Sequence, residues 1–209
     1  MTKALDIASS KLQIPIAEPK IIPISVCELT QKNLWSIGLL FPNEDWEQIQ
    51  VPLAPWTSLT GRKVIDGYGK GTLVNGEMTV AWESESLYAY NQAINYHCSD
   101  VAYRDSQGSI YVEWFNSHED GGQAFICPGK RILYIVAECL PNPKPENFQA
   151  FISDGRYGVI IQPGVWHTNP IPLVEDNQII LRTRQGGLNA TVDCHLASEY
   201  STWLKISPF

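Results

Sequence analysis

The chain carries four histidines, His97, His118, His167 and His195, and two of them stand in settings that suit chemistry. His118 follows a strand-like segment and opens the run His118-Glu119-Asp120-Gly121-Gly122-Gln123-Ala124-Phe125-Ile126. His167 comes after a strand-like segment at 158–162 and a Pro163-Gly164 turn. A neutral imidazole, with an ordinary pKa of about 6.5, can take a proton at neutral pH, so either ring is a candidate general base. Glu113 and Glu119 are alternative bases if their surroundings raise them. Taken singly, each histidine reads more plainly as a satisfied core or surface residue; the settings lift His118 and His167 above His97 and His195. A metal set from His118, His167 and one acid, Glu119 or Asp120, is incomplete. A metal-free polar pocket is therefore the expectation, with a divalent metal at His118 and His167 as the alternative. The cysteines, Cys27, Cys98, Cys127, Cys139 and Cys194, are odd in number and form no CxxC pair. They read as reduced, mostly buried core thiols, although Cys98 adjoins His97 and Cys194 adjoins His195.

The elements that must position these side chains read as β. Asn75-Gly76 between 72–74 and 78–80 predicts a tight hairpin. Asp105-Ser106-Gln107-Gly108 predicts a turn between 101–104 and 109–115. In the latter, Ile110, Val112 and Trp114 fall on one face and Tyr111, Glu113 and Phe115 on the other. The apolar run 132–137 suits a strand buried on both sides, and 148–152, 157–161 and 178–182 continue the pattern. Turns are expected at Asp154-Gly155, Pro163-Gly164 and Gly186-Gly187. Thr30 as N-cap, Leu29 and Leu34 as a staple and Gly38 as a left-handed stop predict a short helix near 30–37. Residues 42–62, with Pro42, Pro52 and Pro55, look irregular; 198–206 read as a short closing helix and 1–18 as a loose arm. Many short strands with Gly and Pro punctuation indicate an all-β sandwich or barrel with few peripheral helices.

Composition bounds the function. The 209 residues suit one domain, 19–209, and 44% hydrophobic content supplies a sizeable core. Fifteen Lys and Arg against 22 Asp and Glu give a net charge of −7 with no basic run, which argues against nucleic-acid partners. The apolar stretches are too short to span a bilayer and the N-terminal residues show no secretory signal, so a cytoplasmic protein is expected.

A strand, a Pro-Gly turn and a histidine three residues after the glycine resemble the second motif of cupin β-barrels (double-stranded β-helices, or jelly rolls). More specifically, the chain resembles the ureidoglycolate lyase family of cupin-like barrels, formerly called ureidoglycolate hydrolases. The resemblance lies in Pro19-Lys20-Ile21-Ile22-Pro23 with the run from Leu29 to Gly38, in the run from His118 to Pro128, and in Gln149-Ala150-Phe151-Ile152 followed by Gly155, Gly158 and Pro163-Gly164-Val165-Trp166-His167. A weaker block is Arg182 or Arg184 followed by Asp193-Cys194. Asn116 stands where the family has Glu, Thr168 where it has a second His, and His195 where it has an acid; the segment 40–75 is longer than in the family.

The resemblance implies a cupin-like barrel and a carbon–nitrogen lyase of allantoin and purine breakdown. Ureidoglycolate, a hemiaminal bearing a carboxylate, would collapse to glyoxylate and urea. That collapse needs a base at the hydroxyl, an acid for the departing nitrogen and a cation for the carboxylate. His167 is the first choice of base and His118 the second; Gln123 is suited to the urea amide and Arg182 or Arg184 to the carboxylate. Trp166 is expected to fill the barrel end. No cofactor is expected, and the partners expected are a small carboxylate substrate and a second copy of the chain in a homodimer. A metal-dependent cupin acting on a small acid and a non-catalytic ligand-binding cupin are the alternatives.

Overall fold

The computed structural model describes residues 19–55, 59–62, 64–65, 73–74, 77–78, 81–91, 96–97, 102–173, 178–186 and 191–208, with 64–65, 73–74, 77–78, 81–91, 96–97, 103 and 178–180 described by backbone alone. The strands are β1 (Lys20–Pro23), β2 (Val26–Glu28), β3 (Gly38–Pro42), β4 (Val64–Ile65), β5 (Leu73–Val74), β6 (Glu77–Met78), β7 (Ala81–Asn91), β8 (Tyr96–His97), β9 (Ala102–Arg104) and β10 (Ile110–Val112). They continue as β11 (Trp114–His118), β12 (Gln123–Ile126), β13 (Ile132–Ala137), β14 (Gln149–Ser153), β15 (Tyr157–Ile161), β16 (Trp166–His167), β17 (Ile171–Pro172), β18 (Gln178–Gly186), β19 (Thr191–His195) and β20 (Thr202–Ile206). One α-helix, α1 (Leu196–Tyr200), lies among the described residues. No described helix is long and apolar enough to cross a membrane.

The fold is all-β, as the punctuation of short strands predicts, and it is layered. An eight-stranded sheet runs β2-β14-β13-β16-β11-β19-β4, with β17 paired to β13; a six-stranded sheet runs β3-β15-β12-β18-β7-β8; a four-stranded sheet runs β1-β20-β10-β9. Side chains alternate across a strand, and β13 shows the result. Ile132, Tyr134 and Val136 enter one core with Phe125, Val159, Ile161 and Leu181 of the six-stranded sheet. Leu133, Ile135 and Ala137 enter another with Ile110, Val112, Leu204 and Ile206 of the four-stranded sheet. All six residues of β13 are buried, which explains why this strand reads as a continuous apolar run. A third core, Phe41, Trp46, Val51, Ala124, Ile126 and Ile160, covers the outer face of the six-stranded sheet. Trp166 is fully buried in the second core and donates its indole N–H to Leu140 O at 2.8 Å, a structural role.

Several local expectations change. Residues 31–37 form successive turns rather than a helix. Thr30 and Asn33 do cap one another: Thr30 N donates to Asn33 Oδ1 at 2.8 Å, and Asn33 N to Thr30 Oγ1 at 3.4 Å. Gly38 does not serve as a left-handed stop. It opens β3, where a Cβ would collide with Ile160 O, so the close approach of β3 to β15 requires glycine. Glu113 interrupts the alternation between β10 and β11, so Phe115 rather than Trp114 joins Ile110 and Val112 in their core. The tail 198–206 is the end of α1 followed by β20, which pairs parallel with β1 and antiparallel with β10. β5 and β6 pair with Leu73 opposite Met78; the Asn75-Gly76 turn, Cys98, Gly187 and the arm 1–18 lie outside the described residues. Of the described cysteines, Cys127 and Cys194 are buried, whereas Cys27 and Cys139 are exposed.

Candidate active site

One ladder and one turn contact bring His118 and His167 together across 49 residues of sequence. β16 pairs with β11, placing His167 opposite Asn116. The Pro163-Gly164 turn closes on the same strand, because Gly164 N donates to His118 O at 2.8 Å. Gly164 takes a φ of +79°, the left-handed conformation glycine favours. The two rings lie 5.4 Å apart between centroids, tilted by 57°. Both are buried, and both face the six-stranded sheet: Phe125 packs edge-on against His167 with centroids 6.1 Å apart.

Polar partners come from both sheets. His167 Nε2 lies 2.9 Å from Gln123 Oε1, and Gln123 Nε2 donates to Thr183 Oγ1 at 2.8 Å. His167 Nδ1 lies 2.9 Å from Val165 O. His118 Nδ1 is 2.9 Å from both Thr191 Oγ1 and Gln185 Nε2. Gln123 thus uses both ends of its amide on neighbours. Thr183, Gln185 and Thr191, which sequence reasoning missed, complete the network; the signal was strand parity, since Thr183 and Gln185 alternate with the arginines of β18.

These contacts fix proton positions. A carbonyl only accepts, so His167 Nδ1 carries a proton. The imidazolium then satisfies Val165 O and Gln123 Oε1 together. In the neutral ring Nε2 is a lone pair, and the Gln123 amide must turn so that its NH2 meets the ring and its oxygen takes the Thr183 hydroxyl. Burial pushes His167 down to about 4. Burial, with His167 alongside, pushes His118 down to about 3 against an opposing hydrogen bond from Gln123. Both rings are therefore neutral at pH 7. With the Gln185 amide turned so that its Nε2 faces Nδ1, neutral His118 carries its proton on Nε2.

The other candidates are spread out. Arg182 and Arg184 are not brought to the histidines. They lie on the face of β18 opposite Thr183, stacked over Trp46 at 5.0 and 4.8 Å from the ring centroid. Arg184 also donates to Trp46 O and Ile49 O. Glu119 accepts from Leu59 N at 2.7 Å, Thr60 N at 3.0 Å and Thr60 Oγ1 at 2.8 Å, tying down that segment. Glu113 accepts from Ala197 N at the start of α1. His195 lies at the far end of the β11–β19 ladder, 44% exposed in its side chain, with Asp193 and Glu113 carboxylates 3.8 and 3.7 Å away. Asp193 first and Glu113 second push it up to about 9, so it is charged at neutral pH. Burial pushes the Cys194 thiol up to about 12 and Cys127 up to about 11, which keeps both from acting as thiolates. Among the described residues no group of three His, Cys, Asp or Glu is arranged to hold a metal ion.

The model of one family, ureidoglycolate lyase, matches residues 72–202. A ureidoglycolate lyase of Azotobacter vinelandii is 34% identical over 78 residues, 37% of this chain and 47% of the relative. Two from Pseudomonas savastanoi pv. phaseolicola and Pseudomonas syringae pv. syringae are 36% and 35% identical over 91 residues, 43% of this chain and 53% of each relative. The chain spans about half the length of the curated relatives it matches.

Proposed function

The chain belongs to the ureidoglycolate lyase family, and on that premise we propose that it is a carbon–nitrogen lyase converting ureidoglycolate, or a close ureido acid, to glyoxylate and urea. The observation that supports this reading is the facing pair of buried, neutral histidines with opposite tautomers. The lone pair of His167 Nε2, covered by the Gln123 amide until substrate displaces it, and the proton on His118 Nε2 are the two things the collapse of a hemiaminal needs. His167 takes the hydroxyl proton, the carbonyl of glyoxylate forms, and the C–N bond breaks. The departing nitrogen takes its proton from His118, and His167 returns one to His118. No water is consumed and no electrons leave.

Gln123, assigned to the urea amide from sequence, is here a positioning residue that follows the protonation state of His167, with Thr183 behind it. Arg182 and Arg184 have no part in this assignment, because both pack on the outer face of their sheet. The reading is metal-independent and carries with it a cytoplasmic homodimer, which light scattering on the purified protein checks. The test of the activity mixes chelator-treated protein with ureidoglycolate and follows products. Equimolar glyoxylate and urea are expected. Ammonia and carbon dioxide instead would indicate an amidohydrolase, activity restored only by added divalent metal a metal-dependent cupin, and ligand binding without product a binding module.

A further inference from the structure

We propose that Trp114, Asn116 and Asp193 form the part of the site that recognises the ureido group; this rests on the lyase reading and says which end of the substrate they hold. The β11–β19 ladder sets Trp114 opposite His195, Asn116 opposite Asp193 and His118 opposite Thr191. Directly opposed residues and alternate residues share a face, so Trp114, Asn116 and Asp193 line the same face as His118. Asn116 is also the cross-strand partner of His167.

Three polar atoms on that face are buried with no hydrogen-bond partner among the described residues: Trp114 Nε1, Asn116 Oδ1 and Asp193 Oδ1. Folded interiors rarely leave such atoms unpaired, because each has lost its water without gaining a partner. Ser117 Oγ is orphaned too, but it points to the opposite face with Phe115 and Val192, and so stands apart from the others. The three on the histidine face are two acceptors and one donor. A ureido group presents the complement: N–H donors on two nitrogens and one carbonyl acceptor. A carboxylate, which only accepts, would meet two oxygens with nothing to give them. The ureido end therefore lies against Asn116 and Asp193, with its carbonyl toward Trp114. The register of Asn116 with His167 then sets the scissile C–N bond beside the histidines.

The probe is ureidoacetate, which keeps the ureido group and carboxylate but lacks the hydroxyl and so does not collapse. Its competitor is N-acetylglycine, with a methyl in place of the terminal NH2. Calorimetry on the wild-type chain should give a preference for ureidoacetate of about tenfold or more, the worth of one or two hydrogen bonds. Asn116→Ala and Asp193→Ala should bring that preference toward unity. Trp114→Phe, which keeps the ring and its packing, should weaken both ligands about equally, since both carry the carbonyl; it also serves if an alanine variant fails to fold. No preference in the wild type, or a preference and affinity unchanged in all folded variants, overturns the proposal. Glyoxylate release measured on the same wild-type sample separates the two ideas. A preference without turnover of ureidoglycolate sinks the lyase reading and leaves the recognition standing; turnover without preference sinks the recognition alone.

Discussion

His118 and His195 sit at opposite ends of one ladder, the pairing of β11 with β19, and on the same face of it. Their surroundings differ in one respect that decides the rest. At the His118 end the neighbours are hydroxyls, amides and a second imidazole, all neutral, and burial drives the ring to the uncharged form. At the His195 end two carboxylates and a parallel tryptophan, Trp114 at 5.5 Å and 8°, hold a charged ring half in solvent. Desolvation without a counter-charge keeps a ring neutral; a counter-charge that outweighs desolvation makes an ion pair. A ring that must accept a proton and give it up belongs at the first end.

The largest effect expected is at the buried pair. His167→Ala should lower the rate of glyoxylate release about 10²–10⁴-fold, with the circular dichroism spectrum unchanged, while His195→Gln should act on thermal stability more than on rate. Equal losses of rate from both would erase the distinction between the two ends. Gln123→Glu sharpens it by moving a carboxylate to the buried end. The acceptor-only group should raise the pKa of His167 and trap the imidazolium, so the acid limb of the kcat–pH profile should move upward while Gln123→Met lowers the rate without that shift. An unmoved limb in Gln123→Glu would mean that the amide does not govern the His167 proton.

Stability against pH should show the two ends with opposite signs. His118 and His167 have folded pKa values below the ordinary 6.5, so the unfolded chain binds more protons there. Their contribution is whole above about 6.5 and is lost as pH falls toward 4 and 3. His195 is raised to about 9, so its contribution is whole below about 6.5 and is lost as pH rises through 9. Urea midpoints between pH 4 and 10 should fall on both sides, less steeply on the alkaline one because the ring is half exposed. His195→Gln should flatten only the alkaline side. The smallest effect expected is from Arg184→Ala: a loss of about 1–2 kcal/mol in stability from the contacts over Trp46, with KM unchanged. A KM raised by more than about tenfold would restore the arginine to the substrate, since a factor of ten is about 1.4 kcal/mol of binding.

Much of this was legible before any coordinates. The run 132–137 announced a strand buried on both sides, and the Pro163-Gly164 turn placed His167 just beyond it, in β16. Gly38 misled because a glycine after a capped turn signals a left-handed stop locally, whereas its cause is a backbone 122 residues away, Ile160. Trp114 and Phe115 exchanged faces because Glu113 breaks the strand, and a bend between sheets leaves period-two counting without a fixed phase. The tail Thr202-Trp203-Leu204-Lys205-Ile206 did alternate, buried and half-buried in turn, and was a strand signal hidden behind a helical start. Arg182 and Arg184 attracted attention by charge, while their neighbour Gln185 reaches His118 and Thr183 reaches Gln123; parity along β18 separates the two pairs, but only once Leu181 is known to face the core.

The strand with both faces buried has a consequence for motion. β13 is covered by one core above and another below, and it pairs with β16, which carries His167, while β16 pairs with β11, which carries His118. Amide protons of Ile132 to Ala137 can reach solvent only when both layers separate, so their deuterium exchange should be among the slowest in the chain and should track global opening. The imidazoles are thus moored to the last part of the molecule to breathe. Warming should then leave their spacing intact until the whole fold gives way, and loss of turnover and loss of tertiary structure should coincide on a melting curve.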